Sequence, residues 1–108
     1  MAAAARDGCT VITAVGELDI ATAALLAHAL RHAPAHTPTI LDLTDVTFMD
    51  AAGLHPLLRA HYDAAAQHVP FILVPTPAIT RLLRLASLRH TLRCMPTVPD
   101  ALTAARTT

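Results

Sequence analysis

Lysine and tryptophan are missing from this 108-residue chain, serine and glutamate occur once each (Ser87, Glu17), and the aromatics are Phe48, Tyr62 and Phe71. Each shortage excludes something. Three aromatics make little stacking platform for single-stranded nucleic acid. Eight arginines against eight acidic residues give zero formal net charge, so no global field steers the chain toward nucleic acid or acidic lipid. With one serine and one glutamate, the usual nucleophiles and paired carboxylates are scarce. Neither a phosphate-cradling glycine loop nor a Ser-His-Asp arrangement is found, and the chain is expected to be a non-enzyme without a cofactor. The two cysteines, Cys9 and Cys94, lie far apart and belong to no CxxC unit, which favours structural thiols over a redox or metal pair. Although 54% of residues are apolar, no window approaches about 18 uninterrupted apolar residues, so a membrane span is not expected. MAAAARDG lacks an apolar segment of signal-peptide length, and the expected location is the cytoplasm.

What is present alternates. CTVITAV (9–15) is β-branched and apolar and reads as a strand turning at Gly16. GELDIATAALLAHALRHA then supplies Asp19 or Thr22 as a cap and places Leu25, Leu26, Ala29, Leu30 and Ala33 on one helical face, closed by PAHTP (34–38). TILDL (39–43) is the next strand, with Asp42 inside otherwise buried-looking sequence. From Gly53 the spacing Leu54, Leu57, Leu58, His61, Ala65 has helical period to about Gln67. VPFILV (69–74) is a short strand. In TPAITRLLRLAS, Thr76 is the N-cap and Pro77 the first helical residue, with Ile79, Leu82, Leu83 and Ala86 facing inward. Residues 91–95 read as a weak last strand and 98–106 as a last helix. Strands alternating with helices call for one α/β domain with a mainly parallel or mixed sheet and crossover connections.

FMDAAGL (48–54) occupies a strand-to-helix connection, where parallel sheets carry their functional loops. Asp50 can accept hydrogen bonds from the first helical turn, Gly53 allows close approach, and Ala51 and Ala52 leave the surface small. A capped helix start is the simpler reading of Asp50 than metal or acid–base chemistry, because Asp42, Asp45 and Asp50 have no ligand spacing. Pro56 conflicts with an early helix start, and the expectation is a late start or a local bend.

GELDIATAALLAHAL, ILDLTDVTFMDAAGLHPLLRAH, TPAITRLLRLASL and the terminal PDALTAA together resemble the STAS domain, in particular the bacterial anti-sigma factor antagonists. The resemblance implies an α/β fold with a mixed sheet of four or five strands and about four helices, over residues 9–106, after a short amino-terminal segment 1–8 in which the family's first strand is short or missing. It implies a partner, an anti-sigma factor of the serine-kinase type, whose sequestration regulates sigma-dependent transcription by partner switching. The implied partner-binding residues are Asp19, Asp42, Asp50, Ala51, Ala52, Gly53 and Leu54, with Leu54 supplying apolar contact. The family's phosphorylated hydroxyl falls on Ala52, so phosphorylation there is not expected; Thr44 and Thr47 are substitute sites or turn hydrogen-bonders. The alternative implied role is a STAS subunit of a lipid-transport ATPase or a scaffold module. An exposed sheet edge at the short amino terminus leaves room for a homodimer.

Two other features stand apart. His28 and His32 are spaced i,i+4 with His36 following, which suits either a solvated face or a zinc pair lacking its remaining ligands; the solvated face is favoured. Arg81, Arg84, Arg89, His90 and Arg93 form the one local positive bias, readable as a solvated face or as a contact for an acidic protein or phosphate.

Overall fold

The computed structural model describes residues 1–107. Among them run β1 (Ala2–Arg6), β2 (Cys9–Leu18), α1 (Ala23–Arg31), β3 (Thr39–Met49), α2 (Ala51–Ala66), β4 (Phe71–Val74), α3 (Pro77–Leu85), β5 (Arg93–Cys94) and α4 (Val98–Arg106). The strands form one mixed sheet in the order β1-β2-β3-β4-β5, with β1 antiparallel to β2 and the other pairs parallel. The segment before Cys9, expected to hold a short first strand or none, forms a five-residue strand. Its turn explains why: Asp7 (φ 51°) and Gly8 (φ 80°) are both left-handed between the paired residues Arg6 and Cys9, as a two-residue hairpin requires.

Successive crossovers in one direction place α1, α2 and α3 on the same sheet face, and α4 covers the other. The strand sequences split accordingly. Phe71 and Leu73 point into the layer built with Leu26, Leu57, Ile79 and Leu83, while Ile72 and Val74 point toward Ala101, Leu102 and Ala105. The first half of β3 and all of β4 are therefore buried on both faces, which is why FILV reads as a continuous apolar run and ILDL as one broken only by Asp42. Cys9 belongs to the α4 layer and is buried, whereas Cys94 is half-buried against the opposite layer; both are free thiols.

Several boundaries differ from the sequence expectation. Strand β2 continues through Gly16 to Leu18, and β3 continues six residues past Leu43 to Met49. Each strand supplies the other's hydrogen bonds there, with Val15 opposite Asp45, Glu17 opposite Phe48 and Leu18 opposite Met49. Two register shifts each insert an extra residue on β3, and Gly16 accommodates the second with φ 86°. Helix α2 begins at Ala51, not late, and Pro56 sits buried at its sixth position. The missing Pro56 N–H leaves the Ala52 carbonyl without its i+4 donor, a cost that burial of the ring offsets. Leu25 and Ala86, expected on buried faces, are exposed, because α1 and α3 are each covered on one narrow side. Helices α3 and α4 match expectation closely. Thr76 Oγ1 accepts the Ile79 amide at 3.2 Å, and Thr97 Oγ1 accepts the Asp100 amide at 3.1 Å.

Candidate functional site

Parallel pairing of β2 with β3 brings their carboxyl ends together, and with them the β2–α1 loop and the start of α2. The Asp50 amide donates to the Leu18 carbonyl at 3.2 Å, stitching the two connections to each other. Within the first loop, Asp19 Oδ1 accepts from the Ala21 amide (3.0 Å), the Thr22 amide (3.2 Å) and the Thr22 hydroxyl (3.2 Å). Thr22 Oγ1 in turn accepts the Asp19 amide at 3.0 Å, and its single proton is shared between Asp19 Oδ1 and the nearer Glu17 carbonyl at 2.7 Å. Asp19 thus organises a closed turn ahead of α1, and Thr22, the helix's flanking residue, makes no side-chain cap of its own.

Asp50 does what its position at a helix start suggests. Its Oδ1 accepts the Ala52 amide at 2.9 Å, and its backbone carbonyl accepts the Gly53 amide at 3.0 Å. Ala51 is exposed and Ala52 partly so. Gly53 faces inward, where an added Cβ would meet the Leu18 carbonyl oxygen and Met49 Cγ, each at 2.9 Å. Its role is close approach of α2 to the sheet.

Of the sequence-predicted residues, the structure brings together Asp19, Asp50, Ala51 and Ala52 at one accessible end. Gly53 and Leu54 sit beneath it: Leu54 is 7% exposed and packed in the core, so it cannot supply the surface contact expected of it. The helical phase set by the Gly53 approach turns Leu54 and Leu57 inward together. Asp42 is separate again. It pairs with Thr13 and Val74, about 15–20 Å down the strand from Met49, and on the sheet face that carries α4. There its Oδ1 accepts the Thr44 amide (3.0 Å) and hydroxyl (2.7 Å), so Thr44 is engaged as a strand hydrogen-bonder, while Thr47 is exposed on the bulge.

Apolar surface that sequence reasoning missed adjoins the loop. Phe48, opposite Glu17 and two residues before Asp50, is 51% exposed; Ile20, beside Asp19, is 84% exposed. Val15, within β2, and Leu25, within α1, are also exposed. Large apolar side chains at strand ends and in a turn, with no helical or strand partner to receive them, characterise a contact patch. Phe48 carried one legible sign, being one of two phenylalanines in the chain. Its outward phase depends on the bulge at Thr47.

Elsewhere, the His28 and His32 rings stack at 4.0 Å, and His32 Nδ1 lies 2.9 Å from the His28 carbonyl. No group of three His, Cys, Asp or Glu side chains that could hold a metal occurs among the described residues. No helix among them is long and apolar enough to cross a membrane.

Comparisons with known proteins agree with this geometry. The STAS domain family model matches residues 1–101. The anti-sigma-F factor antagonist RsfB of Mycobacterium tuberculosis is 36% identical over 104 residues, covering 94% of this chain and 84% of that protein. The crystal structure of an anti-sigma factor antagonist from Mycobacterium paratuberculosis superposes with a TM-score of 0.85 at 31% identity, over 97% of this chain and 92% of that one. The phosphorylated form of the Bacillus cell fate determinant SpoIIAA shares the fold (TM-score 0.61, 22% identity, 95% of this chain and 94% of that one). Matched along nearly its whole length by family model, relative and fold alike, the chain belongs to the STAS domain family, among the anti-sigma factor antagonists.

Proposed function

We propose that this chain is an antagonist that binds an anti-sigma factor of the serine-kinase type through the start of α2 and the adjoining β2–α1 loop, and so regulates sigma-dependent transcription. The observation that carries the reading is the surface at the strand ends. Ala51 and Ala52 form a small, flat step between exposed Phe48 and exposed Ile20, over a turn locked by Asp19 and Asp50. Such a surface is rigid before binding and offers apolar anchors around a close-approach point, which lowers the ordering cost of association. The names of the mycobacterial relatives point to an anti-sigma factor as the partner, without naming its type.

Ala52 removes the hydroxyl that a kinase partner would modify, so the chain stays competent to bind whether or not ATP is present. The test is a binding titration against a purified anti-sigma factor of the serine-kinase type. Ala52→Glu should weaken the complex at least about tenfold by placing bulk and an unpaired charge in the contact. Ala52→Ser should acquire a phosphate when incubated with that partner and ATP, seen as a mass shift. If neither Ala52→Glu nor Phe48→Ala changes affinity, the loop is not the interface. A pull-down with and without ATP that recovers a transporter ATPase in place of an anti-sigma factor would favour the lipid-transport role. The outer edge of β1, which is exposed along its length, supports a homodimer; sedimentation across a concentration series tests it.

A further inference from the structure

We propose that the groove between α3 and the outer edge of β5 is a second docking site, taking an acidic, extended segment of a partner polypeptide. The groove is open and encloses about 920 Å³. Arg81 and Arg84 line it from one side of α3, Arg89 and His90 from the following loop, and Arg93 from β5; among the described residues no Asp or Glu lines it. Half of the chain's eight arginines therefore converge on one surface of a molecule whose net charge is zero. The acidic residues lie elsewhere, with Glu17, Asp19, Asp42, Asp45 and Asp50 all on β2, β3 and their connections. Such segregation makes a local positive field without a global one, and guanidinium groups suit carboxylates through paired N–H donors.

The shape selects an extended polypeptide over a compact anion. The cationic groups come from three separate elements along the groove, not from one convergent pocket. Strand β5 closes the sheet order but is two residues long, so recognition falls to the side chains lining the groove and not to main-chain pairing. Between the arginines, Pro75, Pro77, Leu92 and Met95 supply apolar wall. An extended segment lying along the groove projects its side chains alternately, which fits acidic residues facing Arg81, Arg84 and Arg89 with apolar residues between them. The site is two strands removed from β3 and does not depend on the loop at Asp50.

Fluorescence anisotropy with a labelled 12-residue peptide of alternating Glu and Val tests this. The wild-type chain should bind the peptide at low salt, and more weakly as salt rises. The same peptide with Lys in place of Glu should not bind. Arg81→Glu/Arg84→Glu, two exposed positions whose variant should melt like the wild type, should bind at least about tenfold more weakly. Ala52→Glu should bind the peptide as the wild type does, which separates this site from the anti-sigma contact. No binding of the acidic peptide, or equal binding by the double variant, would overturn the proposal. Binding of inorganic tripolyphosphate without binding of the peptide would overturn it too, by reassigning the groove to small phosphate anions.

Discussion

A methyl group added at Gly53 would lie 2.9 Å from the Leu18 carbonyl oxygen, 2.9 Å from Met49 Cγ and 3.3 Å from Leu18 Cβ. Met49 can rotate away, but the Leu18 carbonyl is backbone and already accepts the Asp50 amide at 3.2 Å. Relief to ordinary contact needs the first turn of α2 to retreat by about half an ångström, which lengthens that bond and loosens the stitch between the two loops. Overpacking costs about 1–3 kcal/mol, and a clash with main chain that cannot rotate away belongs to the upper part of that range, about 2–3 kcal/mol. Alanine's better helix propensity returns about 1 kcal/mol. The net expectation for Gly53→Ala is a loss of about 1–2 kcal/mol, a Tm lower by about 5–10 °C in a domain of this size. Gly53→Val should lose more, because its additional methyls meet the same carbonyl. Thermal and urea melts measure both. A Tm for Gly53→Ala equal to or above that of the wild type would show that propensity outweighs the clash and that α2 does not rest on β2 as tightly as described.

Two leucine-versus-phenylalanine substitutions separate core from contact. Leu54→Ala should cost about 2–4 kcal/mol of stability, whereas Phe48→Ala should change stability by less than about 0.5 kcal/mol yet weaken anti-sigma binding about tenfold. Thr76→Ala removes the hydroxyl that accepts the Ile79 amide and should cost about 1 kcal/mol, read from a urea midpoint. Burial, reinforced by the Asp7 carboxylate and opposed by Arg106, pushes the Cys9 thiol up from its usual range; burial does the same for Cys94 against the pull of Arg89. Raised folded values mean that the protonated thiols contribute fully below the unfolded pKa and that this stability is lost as pH rises through the folded value. The urea midpoint should therefore fall above about pH 9, and Cys9→Ala/Cys94→Ala should flatten that decline; an identical slope in the double variant would refute the assignment.

Helices α3 and α4 were legible because their starts are local: Thr76 with Pro77 and Thr97 with the following apolar pattern carry their own caps. The two-sided burial of FILV was legible as unbroken apolar sequence, and that of ILDL as apolar sequence broken only by Asp42. Residues 44–49 were not, since Thr44, Asp45 and Thr47 interrupt the pattern and their strand conformation comes from pairing with β2, a partner some thirty residues away, whose bulges shift the phase. The first strand hid behind four alanines, weak β formers, although Asp7-Gly8 is a hairpin signal in its own right. At the site, Asp50 as a cap followed from its place before a helix. Its neighbourhood with Asp19, the distance of Asp42 and the inward turn of Leu54 are consequences of sheet register, which no local spacing records.

The cap at Asp50 also bears on what a modification at position 52 could do. A phosphate on an Ala52→Ser chain would add about 1.5–2 negative charges within a turn of the Asp50 carboxylate. At roughly 5 Å, repulsion between unit charges is about 1–3 kcal/mol for the dielectrics of a protein surface. The α2 amino terminus attracts the same phosphate by about 0.3–1 kcal/mol, up to about 2 kcal/mol when partly buried. For a unit charge such as a glutamate, repulsion exceeds attraction by about 0–3 kcal/mol, and for the phosphate by somewhat more, against the 5–15 kcal/mol that typically holds a domain folded. A negative charge at 52 is thus a change of surface, not an unfolding switch. Ala52→Glu should accordingly keep its Tm within a few degrees of wild type while losing the anti-sigma factor. A collapse of Tm in step with the loss of binding would mean instead that the Asp50 cap, and not the contact surface, is what the charge disrupts.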